Sequence, residues 1–252
     1  MSRVTTDATG TSTSVERRGS ADDDDIARDD ALAEAEAPTE DFAAGLTIAP
    51  RVISVFPLQN TVLFPRTSLP LHIFEERYKA MIADALDDDR ALAIALTDDD
   101  EGGLGAREIC AAGSITRVEH LEDGEKNIVV TGSFRCRIVE VLERRPYLVA
   151  RVVPIEERAG SNDRAQLTRA FDRLRELAIQ WIFFQDNDAS QEMIRRITLL
   201  SQAGHLADFI AFNLFDDPLV KQEILETRDV VARAHRMTAL VRTALERIRP
   251  EP

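Results

Sequence analysis

The spacing of the hydrophobic residues changes near Gly160, and this change constrains the fold more than any other feature. Before it, apolar residues form short runs or alternate with polar ones, as Cys136, Ile138 and Leu142 do. Such alternation is typical of β-strands. After it, apolar residues recur three or four positions apart, which is typical of helices with one buried face. The sequence therefore predicts an α+β chain, with a β-rich first half and an α-helical bundle after it.

Turn signals divide the first half into short strands. Asp123 and Gly124 separate two apolar runs, and an Asp-Gly pair in that position predicts a hairpin because glycine accepts a positive φ. Arg144-Arg145-Pro146 marks a second hairpin. The predicted strands are 52–56, 62–64, 69–73, 91–96, 109–121, 126–131, 134–142 and 147–155, with a helix over 75–86. This pattern indicates a small closed or half-closed barrel.

The second half contains apolar stripes at helical spacing. Asp217 followed by Pro218 predicts the start of a short helix, because Asp is a good N-cap and Pro fits the first helical position. Asp229 is placed to cap a last helix whose stripe runs from Val230 to Ile248. That stripe is compatible with a coiled-coil seam, but its short length favours packing within a bundle.

The first 45 residues are strongly acidic, with four arginines against twelve acids, whereas the whole chain has a formal net charge of -14. The composition of this segment cannot offset the entropy cost of ordering. We therefore predict a disordered acidic tail over 1–46, a β-barrel subdomain over 47–158 and a helical subdomain over 159–252. The tail acts either as a solubilising segment or as an acidic recognition segment. The net acidity disfavours nonspecific nucleic-acid binding.

Several features predict a cytoplasmic protein that does not enter membranes. The sequence contains no apolar stretch long enough to span a bilayer, and its N-terminal segment has neither the apolar core of a secretion signal nor the basic character of a transit peptide. Cys110 and Cys136 do not form a CxxC pair, so we expect two buried thiols. A disulfide between them is the alternative, which a reducing compartment disfavours.

Motifs that carry catalysis or bind cofactors are absent from the sequence. It contains no GxxxxGK[ST] phosphate loop, no HExxH metal motif and no GxSxG nucleophile motif. The glycines of 102–105 and the acidic run 98–101 lack the registers of a nucleotide-binding and a calcium-binding loop, and are interpreted as solvated loops. We therefore predict no enzymatic activity, no catalytic residue, no cofactor and no metal site.

Two long strings resemble the opening of the Lon protease N-terminal, substrate-binding domain: VFPLQNTVLFP at 55–65 and LPLHIFEERY at 69–78. The family pattern G…DG…G-x-x-R is similar to Gly113, Asp123-Gly124, Gly132 and Arg135. One small departure is Cys136, which follows the arginine where the family usually has an aromatic or apolar residue. LADFIA at 206–211 and KQEILE at 221–226 also resemble family strings. The resemblance implies a PUA-like β pseudobarrel followed by a helical bundle. We expect a stand-alone form that lacks the ATPase and protease domains, because the full-length proteases continue into those domains whereas this sequence stops at Pro252.

The resemblance also implies a function. We expect a protein-binding module that binds polypeptide segments or acts as an adaptor, with polypeptide substrates or a protease or chaperone as partners. An RNA-binding PUA-like module and an unrecognised enzyme are the alternatives. The candidate polypeptide-binding residues are Phe64, Phe74, Arg77 and Tyr78, which lie in a proline-interrupted segment suited to a sheet edge. The alternative is that the phenylalanines only fill the barrel core.

Overall fold

The computed structural model describes residues 49–97, 105–121, 123–158, 164–185 and 190–248. The predicted acidic tail, the acidic run 98–101 and most of the glycine-rich stretch lie outside the described residues. Within them, six strands and one helix lie between Arg51 and Pro154, and five helices lie between Arg164 and Ile248. The predicted α+β class is therefore confirmed.

The strands are short except for the fourth and fifth, because prolines and turns interrupt the first half of the chain. All six belong to one sheet. Their bounds are β1 Arg51–Leu58, β2 Ser68–Ile73, β3 Ala91–Leu96, β4 Ile109–His120, β5 Lys126–Glu143 and β6 Leu148–Pro154.

The strand pairings form a closed circuit. The sheet order is β2-β5-β4-β3-β1-β6, and a further pairing between β5 and β6 joins the C-terminal part of β5 to the last strand in that order. The pair β1–β3 is parallel and the other pairs are antiparallel. β2 lies outside this circuit and pairs with the N-terminal part of β5. Among the described residues, β2 is therefore an edge strand.

Two strand predictions were wrong in detail. The runs 126–131 and 134–142 are one continuous strand, because Gly132 and Ser133 stay in the ladder as part of β5. Residues 62–64 form no strand. There the side-chain oxygen of Thr67 accepts a hydrogen bond from the Phe64 amide at 3.2 Å and donates one to the Phe64 carbonyl at 2.9 Å, closing a turn.

The predicted hairpins and the first helix are present. Gly124 has φ +81° between β4 and β5, so it supplies the positive φ expected at this turn. Helix α1 spans Glu76–Asp87 and buries Tyr78, Met81, Ile82 and Ala85 on one face.

Five helices follow the sheet: α2 Arg164–Gln185, α3 Ser190–Leu199, α4 Ala203–Leu214, α5 Pro218–Glu226 and α6 Val230–Ile248. Both predicted caps are confirmed. Asp217 Oδ1 accepts from the Leu219 amide at 2.8 Å, and Asp229 Oδ1 accepts from the Ala232 amide at 2.9 Å. α6 packs along α2 and α4, so its apolar stripe is used within the chain.

The buried apolar residues form two cores. The first, the ring core, receives side chains from each strand of the closed circuit and is rich in alanine and cysteine. The second lies where the other sheet face meets α1 and the later helices. Cys110 and Cys136 are free and fully buried in the ring core, with their sulfurs 3.4 Å apart, which confirms the expected buried thiols. In the described part of the chain, every helix is too short or too polar to cross a bilayer.

Candidate functional site

The segment from Val62 to Tyr78 first fills the core and then reaches the surface. Val62, Leu63 and Phe64 are at most 2% exposed and pack into the helix-side core. The Phe64 carbonyl lies against Gly132 of β5: a Cβ atom at that glycine would lie 2.1 Å from the carbonyl oxygen. A side chain at Gly132 would therefore displace the core-filling residues, so the segment depends on this close backbone approach.

β2 then runs along the edge of the sheet. It pairs with β5 from Ser68 opposite Thr131 to Ile73 opposite Lys126. Pro70 lies in the middle of β2, where an edge position suits it because proline has no amide hydrogen to donate. The opposite side of β2 carries backbone groups that no described strand pairs. Pro70 has no amide hydrogen to offer, so an added strand would pair with the backbone groups on either side of it.

The structure separates the four candidate residues into two buried and two exposed ones. Phe64 is 0% and Tyr78 is 8% exposed, whereas Phe74 is 58% exposed and the Arg77 side chain is 54% exposed. The Arg77 guanidinium carbon lies 4.4 Å from the centre of the Tyr78 ring. Burial raises the pKa of the Tyr78 hydroxyl, against the opposing effect of Arg77. Of the four candidate residues, Phe74 and Arg77 are therefore the two that a partner can contact directly.

His72 extends this surface. Its ring stacks on Phe74 with centroids 6.0 Å apart. Its Nε2 lies 2.8 Å from Glu125 Oε2, and its Nδ1 lies 2.9 Å from Asn127 Oδ1. Neighbouring side chains therefore hold the imidazole in place beside the exposed phenylalanine. We call His72, Phe74 and Arg77, together with the outer side of β2, the β2-edge surface.

A cluster of buried charges joins the sheet to the helices. Arg135 of β5 binds Asp208 of α4 through two hydrogen bonds of 2.6 and 2.9 Å, and both side chains are 1% exposed. Arg135 also donates to Glu157 at 2.7 Å and to the Leu225 carbonyl at 2.9 Å. These contacts fix β5 against three other parts of the chain, so Arg135 has a structural role.

Arg233 of α6 completes this charge cluster. Its side chain is fully buried; Nη2 donates to Glu157 at 2.8 Å, and Nε lies 3.2 Å from Asp208 without the alignment of a hydrogen bond. Burial raises the pKa of the Asp208 carboxyl, while Arg135 and Arg233 act in the opposite direction. Two cations thus face two carboxylates, and the cluster holds no unpaired nucleophile.

Sequence reasoning found Arg135 only through the family pattern and missed its partners. The available signals were weak: Asp208 interrupts the apolar string 206–211, and Arg233 lies on the buried side of the α6 stripe. Neither signal identifies a partner, because the pairing joins elements far apart in the chain. Within the described residues, no group of three or more histidine, cysteine, aspartate or glutamate side chains could hold a metal ion.

Comparisons with known proteins agree with this architecture. A family model described as the ATP-dependent protease La (LON) substrate-binding domain matches residues 52–243. The chain is similar to Lon protease 2 of Myxococcus xanthus, with 36% identity over 191 residues that cover 73% of this chain and 22% of that protein. It is also similar to the Lon protease of Dictyoglomus thermophilum, with 30% identity over 210 residues that cover 78% of this chain and 25% of that protein. The chain thus spans about a quarter of the length of these relatives.

Two solved structures share the fold. The N-terminal domain of the Mycobacterium avium complex Lon protease superposes with a TM-score of 0.64 at 18% identity, covering 76% of this chain and 98% of that one. The Lon N-terminal domain protein from Xanthomonas campestris gives a TM-score of 0.56 at 21% identity, covering 75% and 98%. Since the family model matches most of the chain, the protein belongs to the Lon protease substrate-binding domain family.

Proposed function

We propose that this chain is a non-enzymatic recognition module that binds extended polypeptide segments at the β2-edge surface. The observation that carries the proposal is an edge strand followed directly by an exposed phenylalanine, in a domain of a substrate-binding family. An extended segment adds to the outer side of β2 by main-chain hydrogen bonds. Those bonds are independent of sequence, which suits a module that recognises many polypeptides.

Side chains beside the edge determine which polypeptide segments bind more tightly. Phe74 is already stacked on His72, so its ring offers apolar area with little loss of rotamer freedom on binding. Arg77 Nε donates a hydrogen bond to Glu75 at 2.9 Å, and the guanidinium lies over the Tyr78 ring. The Arg77 side chain is still partly exposed and can contact a bound segment. We assign Phe64 and Tyr78 a supporting role: they fix the two ends of the segment from beneath.

The same proposal covers the finer properties of the module. The closed circuit of strand pairings supports a PUA-like pseudobarrel. The match to a substrate-binding domain supports recognition without catalysis, either of protein substrates or as an adaptor to a protease or chaperone. A cytoplasmic location belongs to the same proposal, and it rests on the features of the sequence given above.

Binding of a fluorescently labelled, permanently unfolded polypeptide to the full chain tests this site. We expect Phe74→Ala to weaken binding about fivefold, since truncating an aromatic anchor removes a large share of the contact. Phe183→Ala is the matched control, because Phe183 is also exposed, at 73%, but lies on α2. Both variants should melt near the wild-type temperature.

Two results would contradict the proposed site. Unchanged affinity in the Phe74 variant, with weaker binding in the Phe183 variant, would move the site to α2. A large drop in melting temperature for Phe74→Ala would show that the ring stabilises the fold instead of contacting a partner.

A further inference from the structure

A cationic groove lies between α2 and α6 and shares no residue with the β2-edge surface. The cavity has a volume of about 440 Å³, and four groups that carry or can carry positive charge line it. Arg169 and Arg173 belong to α2, and His235 and Arg242 belong to α6. All four are exposed. This concentration of positive charge stands out in a chain whose net charge is -14. We call it the α2–α6 groove.

The groove is elongated. Its lining residues lie at positions 166, 169, 170 and 173 of one helix and 235, 238 and 242 of the other. Seven residues of helix span about 10 Å. Ala170 and Thr238 are buried and form the floor, and the Thr238 hydroxyl already donates to the Ala234 carbonyl at 2.7 Å. Above this floor, the Arg173 and Arg242 guanidiniums and the His235 imidazole line the two walls of the groove.

Three of the four cationic side chains, His235, Arg242 and Arg173, are accessible to an incoming carboxylate. Arg242 and His235 make no hydrogen bond or ion pair with any other residue that the structure describes. Arg173 binds Glu176 at 2.7 Å, but both side chains are about half exposed, and an exposed pair of this kind contributes little. A ligand carboxylate can therefore share or replace Glu176 at small cost.

We propose that the α2–α6 groove binds acidic polypeptide segments. Guanidinium groups match carboxylates in two parallel hydrogen bonds, and alternate side chains of an extended segment lie about 7 Å apart on one face. Two carboxylates at that spacing reach both ends of the groove. One compact anion cannot bridge about 10 Å, and the acidic chain repels a long polyanion such as a nucleic acid more strongly than a short segment with few charges.

This inference rests on the proposed function only in taking a polypeptide as the ligand, and it concerns a separate surface. The test uses the full chain and a labelled peptide in which aspartate alternates with serine, compared with the same peptide carrying asparagine. We expect Arg242→Ala to weaken binding of the aspartate peptide about threefold. Arg242→Glu should weaken it at least about tenfold, because it places a like charge beside the ligand.

Two control variants keep the two proposals distinguishable. Arg247→Ala, on the same helix but outside the groove, should retain wild-type affinity for the aspartate peptide. Phe74→Ala should retain it as well, because the aspartate–serine peptide has no apolar side chain for the Phe74 ring, and any main-chain pairing at β2 is common to the aspartate and asparagine peptides. Equal binding of the asparagine peptide, no binding of the aspartate peptide, or equal weakening by Arg247→Ala or Phe74→Ala would overturn the inference. Inorganic tripolyphosphate that binds more tightly than the aspartate peptide would assign the groove to phosphoryl anions and overturn it as well. Circular dichroism and melting of each variant verify the fold.

Discussion

The sheet half and the helical half of this protein tolerate change differently. In the sheet half, backbones touch: a Cβ atom at Gly113 would lie 2.2 Å from the Thr131 carbonyl oxygen, and one at Gly132 would lie 2.1 Å from that of Phe64. In the helical half, aliphatic side chains separate the backbones. Side chains can shift rotamers, whereas opposed backbones cannot move without breaking ladder hydrogen bonds. Each atom added in the sheet should therefore lower the free energy of unfolding more than one added among the helices. Substitutions in the charge cluster that joins the two halves should lower it most.

Removing one charge from that cluster gives the largest expected effect. Asp208→Ala leaves the buried Arg135 and Arg233 with only Glu157, whose side chain is 36% exposed, and breaking a buried pair costs about 3–5 kcal/mol. Urea unfolding measures this loss. Glu223→Ala is the control, because Glu223 pairs with Arg236 where both side chains are 45% exposed, and it should cost no more than about 1 kcal/mol. Similar losses for the two variants would show that the cluster does not hold the halves together.

The sheet half supplies the next largest effect. Gly132→Ala drives a methyl group into the Phe64 carbonyl, and overpacking of this kind costs about 3 kcal/mol. Gly124→Ala tests conformation alone, because Gly124 has a positive φ but open space around it, and should cost about 1 kcal/mol. Thermal denaturation of both variants separates steric contact from backbone strain. If Gly124→Ala proved the more damaging, the close backbone approach would be a minor constraint.

The helical half should show the smallest effect. Asp217→Ala removes the N-cap of α5, so the Leu219 and Val220 amides lose their acceptor, at a cost of about 1 kcal/mol. Hydrogen exchange at these two amides should quicken while the sheet amides are unaffected. Asp216→Ala changes the adjacent exposed acid and should leave exchange at both amides unaltered. Faster exchange throughout the sheet after Asp217→Ala would contradict the tolerance expected of this half.

Local rules predicted local features well. The Asp-Gly turn, the caps at Asp217 and Asp229 and the burial of both cysteines follow from residue chemistry at one point in the chain. The length of β5 was predicted wrongly because Gly132 and Ser133 were interpreted as a break between two strands. The glycine is instead required for the close approach of the Phe64 carbonyl.

The candidate site was predictable in part for the same reason. Proline spacing indicated an edge, and β2 is one. Tertiary packing decides which aromatic residues of the segment from Val62 to Tyr78 face outwards, so residue type alone could not distinguish the buried Phe64 from the exposed Phe74. The partners of Arg135 lie on elements that are far apart in the chain, and so do the cations of the α2–α6 groove. Residue spacing in the sequence therefore could not predict that these side chains lie close together.

The closed circuit of strands has a consequence for the order of folding. β1, the first strand, completes its pairing only with β6, the last, so that Arg51 lies opposite Val152. Contacts between residues so distant in sequence form slowly, because the intervening chain loses much of its freedom before the contacts stabilise it. During synthesis on the ribosome, the circuit must stay open until β6 emerges. Until then the early strands expose unpaired edges, and chaperones that shield such edges would act in that interval.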